Sequence, residues 1–152
     1  MKRIGTLTLA LGLWIMASAL PAAAQRTVRV GDVKAQQAAA AFRQGQMVEA
    51  LRLYDSALTD RTLGNERRAS ILTDRGVVRE RAGRIADAVA DFNQAIKLFP
   101  EFPVVYNNRG SLLVRIGGFA EALKDFERAL RLAPGYACLL YTSDAADDYF
   151  WV

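Results

Sequence analysis

Through the middle of the chain, small and apolar residues recur at helical spacing. Ala88 and Phe92 stand four apart, as do Ala122 and Phe126, so each pair shares one helical face. Asn107, Ser111 and Val114 follow the same i, i+4, i+7 progression. Gly45, Gly83 and Gly117 fall between apolar helical runs, where the residue after a helix must enter the left-handed region. Pro100 and Pro134 stop such runs and force a change of direction. The pattern predicts six helices, at about 31–43, 47–60, 66–82, 85–98, 103–116 and 119–132. No strand is evident.

Shifted against itself by 34 residues, the sequence pairs Arg75 with Arg109, Gly76 with Gly110, Arg81 with Arg115 and Gly83 with Gly117. Further identities join Ala86 to Ala120, Ala88 to Ala122, Asp91 to Asp125, Phe92 to Phe126, Ala95 to Ala129, Leu98 to Leu132 and Pro100 to Pro134. A period of 34 is the length of a helix-turn-helix unit that buries its apolar face only against neighbouring units. With these residues in place, segments 69–102 and 103–136 resemble tetratricopeptide repeats. The signature falls on Leu72, Gly76, Gly83, Ile85, Ala88, Phe92, Ala95 and Pro100 in the first of these segments. In the second it falls on Tyr106, Gly110, Gly117, Phe119, Ala122, Phe126, Ala129 and Pro134. Arg75 and Arg109 stand where the family often has leucine, which alters a core contact in both units. Residues 31–64 form a degenerate unit carried by Ala38, Gly45, Met47, Ala50, Tyr54 and Ala57, with Thr62 in place of the closing proline. A four-residue insertion, Asn65 to Arg68, follows it.

The resemblance implies an all-α fold: helix-turn-helix repeats stacked as a right-handed α-solenoid of about six helices, truncated at its C-terminal end. Glycine inside a helix costs about 1 kcal/mol of propensity against alanine. At Gly76 and Gly110 that cost is tolerable where two helices approach closely, with Ala88 and Ala122 facing them and Phe92 and Phe126 filling the gap. The outer face of the last unit (Leu123, Phe126, Leu130) would ordinarily meet a following helix, so a marginal or self-adhesive edge is expected there.

The two ends do not follow the repeat. Met1-Lys2-Arg3, an apolar run from Ile4 to Leu20 and the exit Pro21-Ala22-Ala23-Ala24-Gln25 have the form of a signal peptide cleaved after Ala24. Residues 1–24 are therefore expected to direct export, giving a periplasmic or secreted protein. A membrane would be touched only through an uncleaved signal segment. No cysteine follows the apolar run, so lipid anchoring is not expected. Residues 138–152, from Cys138 to Val152, resemble translated sequencing-adapter read-through, so 137–152 is expected to be a non-native tail beyond which the gene continues.

Composition narrows the chemistry. The 152 residues include no histidine and one cysteine, which excludes histidine- or cysteine-based catalytic dyads and the usual zinc sites. Without the leader and the tail, 18 basic and 13 acidic residues remain, a net charge of +5 with no cysteine. Stability then rests on packing rather than disulfides. The i, i+4 carboxylate pairs Asp87/Asp91 and Glu121/Asp125 are expected to be solvated surface rather than an acid and a base. No cofactor, metal or enzymatic activity is expected.

In a stacked array the first helices line a concave groove. By the resemblance, that groove takes Ser70, Thr73, Asp74, Val77, Glu80 and Arg81 from the second unit. The third supplies Val104, Asn107, Asn108, Ser111, Val114 and Arg115. Asn107 and Asn108 offer donors and acceptors to the backbone of an extended peptide, or else are solvated amides. Arg43, Arg81 and Arg115 recur just before each inter-helix glycine, a column suited to an acidic ligand but more simply read as helix-dipole capping. Carboxylate-clamp members of the family need cations at several groove positions. Only Asn108 matches that arrangement, so a reader of chaperone tails is not implied. The arginine excess raises an acidic protein, an envelope polymer, a nucleic acid or an anionic lipid as partner. Asp74 and Glu80 lie among the groove cations, and no basic-aromatic interleaving appears, so nucleic acid is not expected. The expected function is a protein- or peptide-binding scaffold of the cell envelope, the partner being another protein or extended peptide of acidic character. The alternative is an accessory N-terminal array of a larger enzyme or membrane-associated protein.

Overall fold

The computed structural model describes residues 29–136; the leader and the tail discussed above lie outside them. Six helices form three antiparallel pairs. They are α1 (Val30–Arg43) with α2 (Met47–Leu58), α3 (Asn65–Arg81) with α4 (Ile85–Leu98), and α5 (Pro103–Arg115) with α6 (Phe119–Leu132). A 3-10 turn, Pro134–Tyr136, follows. The predicted boundaries fall within two residues of these at every helix end.

Each pair is joined by the same turn. Gly45, Gly83 and Gly117 have φ of 75°, 74° and 84°, the left-handed conformation an L side chain resists. At each turn, two amides past the helix reach back to carbonyls of its last turn. Gln46 N donates to Ala41 O and Gly45 N to Phe42 O; Arg84 and Gly83, then Gly118 and Gly117, repeat the pattern. These two hydrogen bonds satisfy carbonyls that would otherwise be orphaned at the helix end. Pro103 opens α5, where its missing N–H costs nothing.

Within each pair the small residues face a ring. A methyl on Gly76 would lie 2.6 Å from Cε1 of Phe92, and one on Gly110 would lie 2.8 Å from Cε1 of Phe126. The ring therefore lies directly on the backbone of the partner helix. In the first pair Ala38, Ala50, Ala57 and Tyr54 are the buried equivalents. Phe126, which the sequence places both in the gap at Gly110 and on the outer face of the last unit, turns its ring inward onto that glycine, where the absent Cβ leaves room for it.

Successive pairs then stack through α2 on α3 and α4 on α5. The first helices also touch one another, α1 to α3 and α3 to α5, with no comparable contact joining α2 to α4 or α4 to α6 among the described residues. A stack that is closer along its first helices curves toward them, so α1, α3 and α5 form the inner wall of an α-solenoid.

Candidate functional site: the inner face of the helical stack

The inner wall is held by ion pairs that run from one first helix to the next. Asp32 near the start of α1 accepts from Arg67 Nε near the start of α3, at 2.5 Å. Glu80 near the end of α3 accepts from Arg115 Nη1 at the end of α5, also at 2.5 Å. Desolvation raises the pKa of the Glu80 carboxyl, with Arg115 and Arg81 opposing it. The Asp74 carboxyl is likewise raised by the surrounding protein, and Arg67 pulls the other way, although the residue as a whole is exposed.

The expected groove residues do not all reach the groove. Asn107, Asn108 and Ser111 are half-buried on α5, and none of their side chains is engaged by another described residue. Asp74, Arg81 and Arg115 are exposed; Arg115 is committed to Glu80, and Arg81 also has a partner. Val77 is half-buried and packs against the core. Thr73 corrects the expectation: it is 1% exposed, and its hydroxyl donates to Ala69 O at 2.8 Å. A threonine whose hydroxyl turns back onto its own helix has nothing left for a ligand. Ser70 opens with Glu66, Arg67 and Phe102 onto a cavity of about 240 Å³. Arg43, Arg81 and Arg115 all occupy last turns of first helices, where a cation meets the negative end of the helix dipole.

Asp91 and Asp125, expected as solvated surface, are 2% and 5% exposed. Asp91 accepts from Arg75 Nε at 2.9 Å and Nη2 at 2.6 Å, and it also pairs with Arg79 at 2.7 Å. Asp125 accepts from Arg109 Nε and Nη2, both at 2.7 Å. These forked pairs make use of the arginines that replace the family's leucine. Each guanidinium then extends to the preceding second helix: Arg75 Nη1 donates to Asp55 at 2.6 Å and Arg109 Nη1 to Asn93 at 2.5 Å. Burial opposes the charge of Arg75, but the bonds and attraction from Asp91 and Asp55 outweigh it and raise its pKa. At Arg109 the hydrogen bonding it donates to Asp125 is the largest influence, in the same direction. The signal was present in the sequence, since both members of each pair recur 34 residues apart.

Among the described residues no group of three His, Cys, Asp or Glu side chains is arranged to hold a metal. Among the same residues no helix is long and apolar enough to cross a membrane. Paired helices, left-handed glycine turns and a polar inner wall define a helical-repeat scaffold.

Tetratricopeptide-repeat family models match residues 32–101, 73–137 and 107–147, and the chain belongs to that family. No curated protein sequence matches it. Among solved structures, the first tetratricopeptide-repeat domain of Spaghetti (RPAP3), bound to the HSP90 peptide SRMEEVD, is 27% identical with a TM-score of 0.63. That alignment covers 69% of this chain and 80% of that one. The second such domain of the same protein, bound to the same peptide, is 21% identical with a TM-score of 0.61, over 68% of this chain and 92% of that one. The Arabidopsis OM64 domain is 22% identical with a TM-score of 0.61, over 68% of this chain and 83% of that one.

Proposed function

We propose that the chain is an exported scaffold that binds an extended, acidic peptide segment of another envelope protein along α3 and α5, and that it performs no chemistry of its own. The observation that carries this reading is the pair Asn107 and Asn108, half-buried on the inner wall with amides free of other described residues. An amide presents both donors and an acceptor, which matches the alternating groups of an extended backbone. The peptide complexes of the RPAP3 domains support a peptide as ligand class. They do not carry over the ligand itself, because the cations of a carboxylate clamp are missing and Asp74 stands on the same wall. Export rests on the leader, and N-terminal sequencing of the purified protein should begin at Gln25. A retained Met1 would overturn cleavage after Ala24.

Capture of partners from an envelope extract should fall by roughly tenfold for Asn107→Ala/Asn108→Ala, the effect of losing about 1.4 kcal/mol of hydrogen bonding. Circular dichroism should be unchanged. Undiminished capture by that variant would remove the groove assignment. A second reading, accessory repeats of a larger enzyme or membrane-associated protein, is favoured by the exposed apolar side chains of α6.

A further inference from the structure

Asp74 and Asn108 stand 34 residues apart, at one position of successive first helices. The two side chains offer a ligand different chemistry: an amide donates and accepts, whereas a carboxylate only accepts. Asp74 is exposed, yet the protein around it desolvates its carboxyl and raises its pKa. A group that water reaches and protein surrounds lies in a concavity. Among the described residues none donates a hydrogen bond to this carboxylate, and Arg67 is the one cation that acts on it. That guanidinium is shared, because its Nε donates to Asp32.

Glu66, Ser70 and Asp74 follow one another at i, i+4, i+8 and form a single stripe of α3. The first two open with Arg67 and Phe102 onto the cavity of about 240 Å³. Sites for whole small molecules generally exceed about 300 Å³, so this cavity suits one side chain. Phe102 brings a ring to it from the start of α5. Glu66 brings a second carboxylate, exposed and without an ion pair among the described residues. A ring for an aliphatic stem, with carboxylates for a charged head, is the setting that accepts lysine or arginine. An incoming acidic side chain would meet like charge instead.

We propose that Asp74 selects the ligand: the peptide held along α3 and α5 carries one lysine or arginine, seated between Asp74 and the cavity at Glu66 and Phe102. This rests on the scaffold reading above and refines it, since an acidic segment then needs a cationic residue at a fixed place. The ligand's charge supplies the partner that the desolvated carboxylate lacks. Its acidic remainder lies toward the C-terminal ends of α3 and α5, where Arg81 and Arg115 together outnumber Glu80. The two ends of the inner wall thus ask for opposite charges, which fixes the direction of the peptide.

Selection from a randomised octapeptide library displayed on phage, with the purified protein immobilised, tests this directly. Peptides retained by the parent should share a lysine or arginine at one position among acidic residues. For the best of them, replacing that residue with glutamine should weaken binding to the parent roughly tenfold, and to Asp74→Asn by less than about twofold. Asp74→Asn installs the residue that the third unit carries at this position, so its helicity should match the parent. Glu66→Gln, also at an exposed position, should narrow the tenfold difference to roughly threefold. Asn107→Ala/Asn108→Ala should weaken the peptide and its glutamine form alike, because those amides meet backbone. Retained peptides with no cationic residue in common, or an undiminished glutamine penalty in Asp74→Asn, would overturn the inference and leave the scaffold reading in place. Failure to retain any peptide above the library background would overturn both.

Discussion

At Asp125 a carboxylate is held away from water by a forked guanidinium, and the energetic consequence depends on what is removed. Removing one partner leaves the other charge buried and uncompensated, whereas replacing both with apolar residues also removes the desolvation cost. Asp125→Ala should therefore destabilise the protein by about 3 kcal/mol, while Arg109→Leu/Asp125→Leu should return to within about 1 kcal/mol of the parent in urea unfolding. Asp91 is the less tractable site, because Arg79 shares its carboxylate. Gly76 answers to sterics instead. With Phe92 2.6 Å from where a Cβ would sit, Gly76→Val should cost about 2–3 kcal/mol despite leaving the turn chemistry intact. Unfolding curves that superimpose on the parent would show that the ring is free to move. The glycines and rings were legible from spacing alone. The buried aspartates were legible only through the 34-residue repeat, which carries an arginine 16 residues before each; an isolated Asp on a helix otherwise reads as surface.

At the scale of elements, the first pair is tied down by a different device. Asp60, just past α2, accepts from Thr62 Oγ1 at 2.7 Å, Gly31 N at 2.8 Å and Thr62 N at 2.9 Å. These bonds, the Thr62 hydroxyl first, lower its pKa from 3.8 to about 2. Arg68, from the insertion, donates to Leu58 O and Asp60 O, so the four extra residues lengthen α3 by a turn and close the end of α2. A carboxylate whose pKa is depressed in the folded state stabilises above its unfolded value, and that contribution is lost as pH falls through the folded one. Thermal melts should therefore show stability declining between about pH 4 and about pH 2, with a shallower decline for Asp60→Asn. Equal slopes would mean that the carboxylate is not bound in this way. Helix ends were readable because glycine and proline act locally. The Asp60 network links residues 29 apart, which no local pattern reports.

Over the whole molecule, the period of the sequence determines the architecture, and the same period explains why the inner wall was only partly foreseen. The family's groove positions name the helical faces expected to turn inward, and on α5 Asn107, Asn108 and Ser111 are half-buried. They do not tell whether a side chain is already engaged. Thr73 bonds its own helix, and Arg115 spans to Glu80. Such internal commitments arise from neighbouring helices, so they become visible only when the pairs are stacked.

The residues that join successive pairs, Arg75 to Asp55 and Arg109 to Asn93, have a genetic corollary. The middle unit carries a socket, Asn93, on its second helix and a matching plug, Arg75, on its first. An in-frame duplication of one such stretch of gene would thus deliver a compatible joint on both sides of the insertion. Lengthening by unequal recombination would need no compensating change elsewhere, whereas a deletion ending between the two helices would strand a plug without its socket.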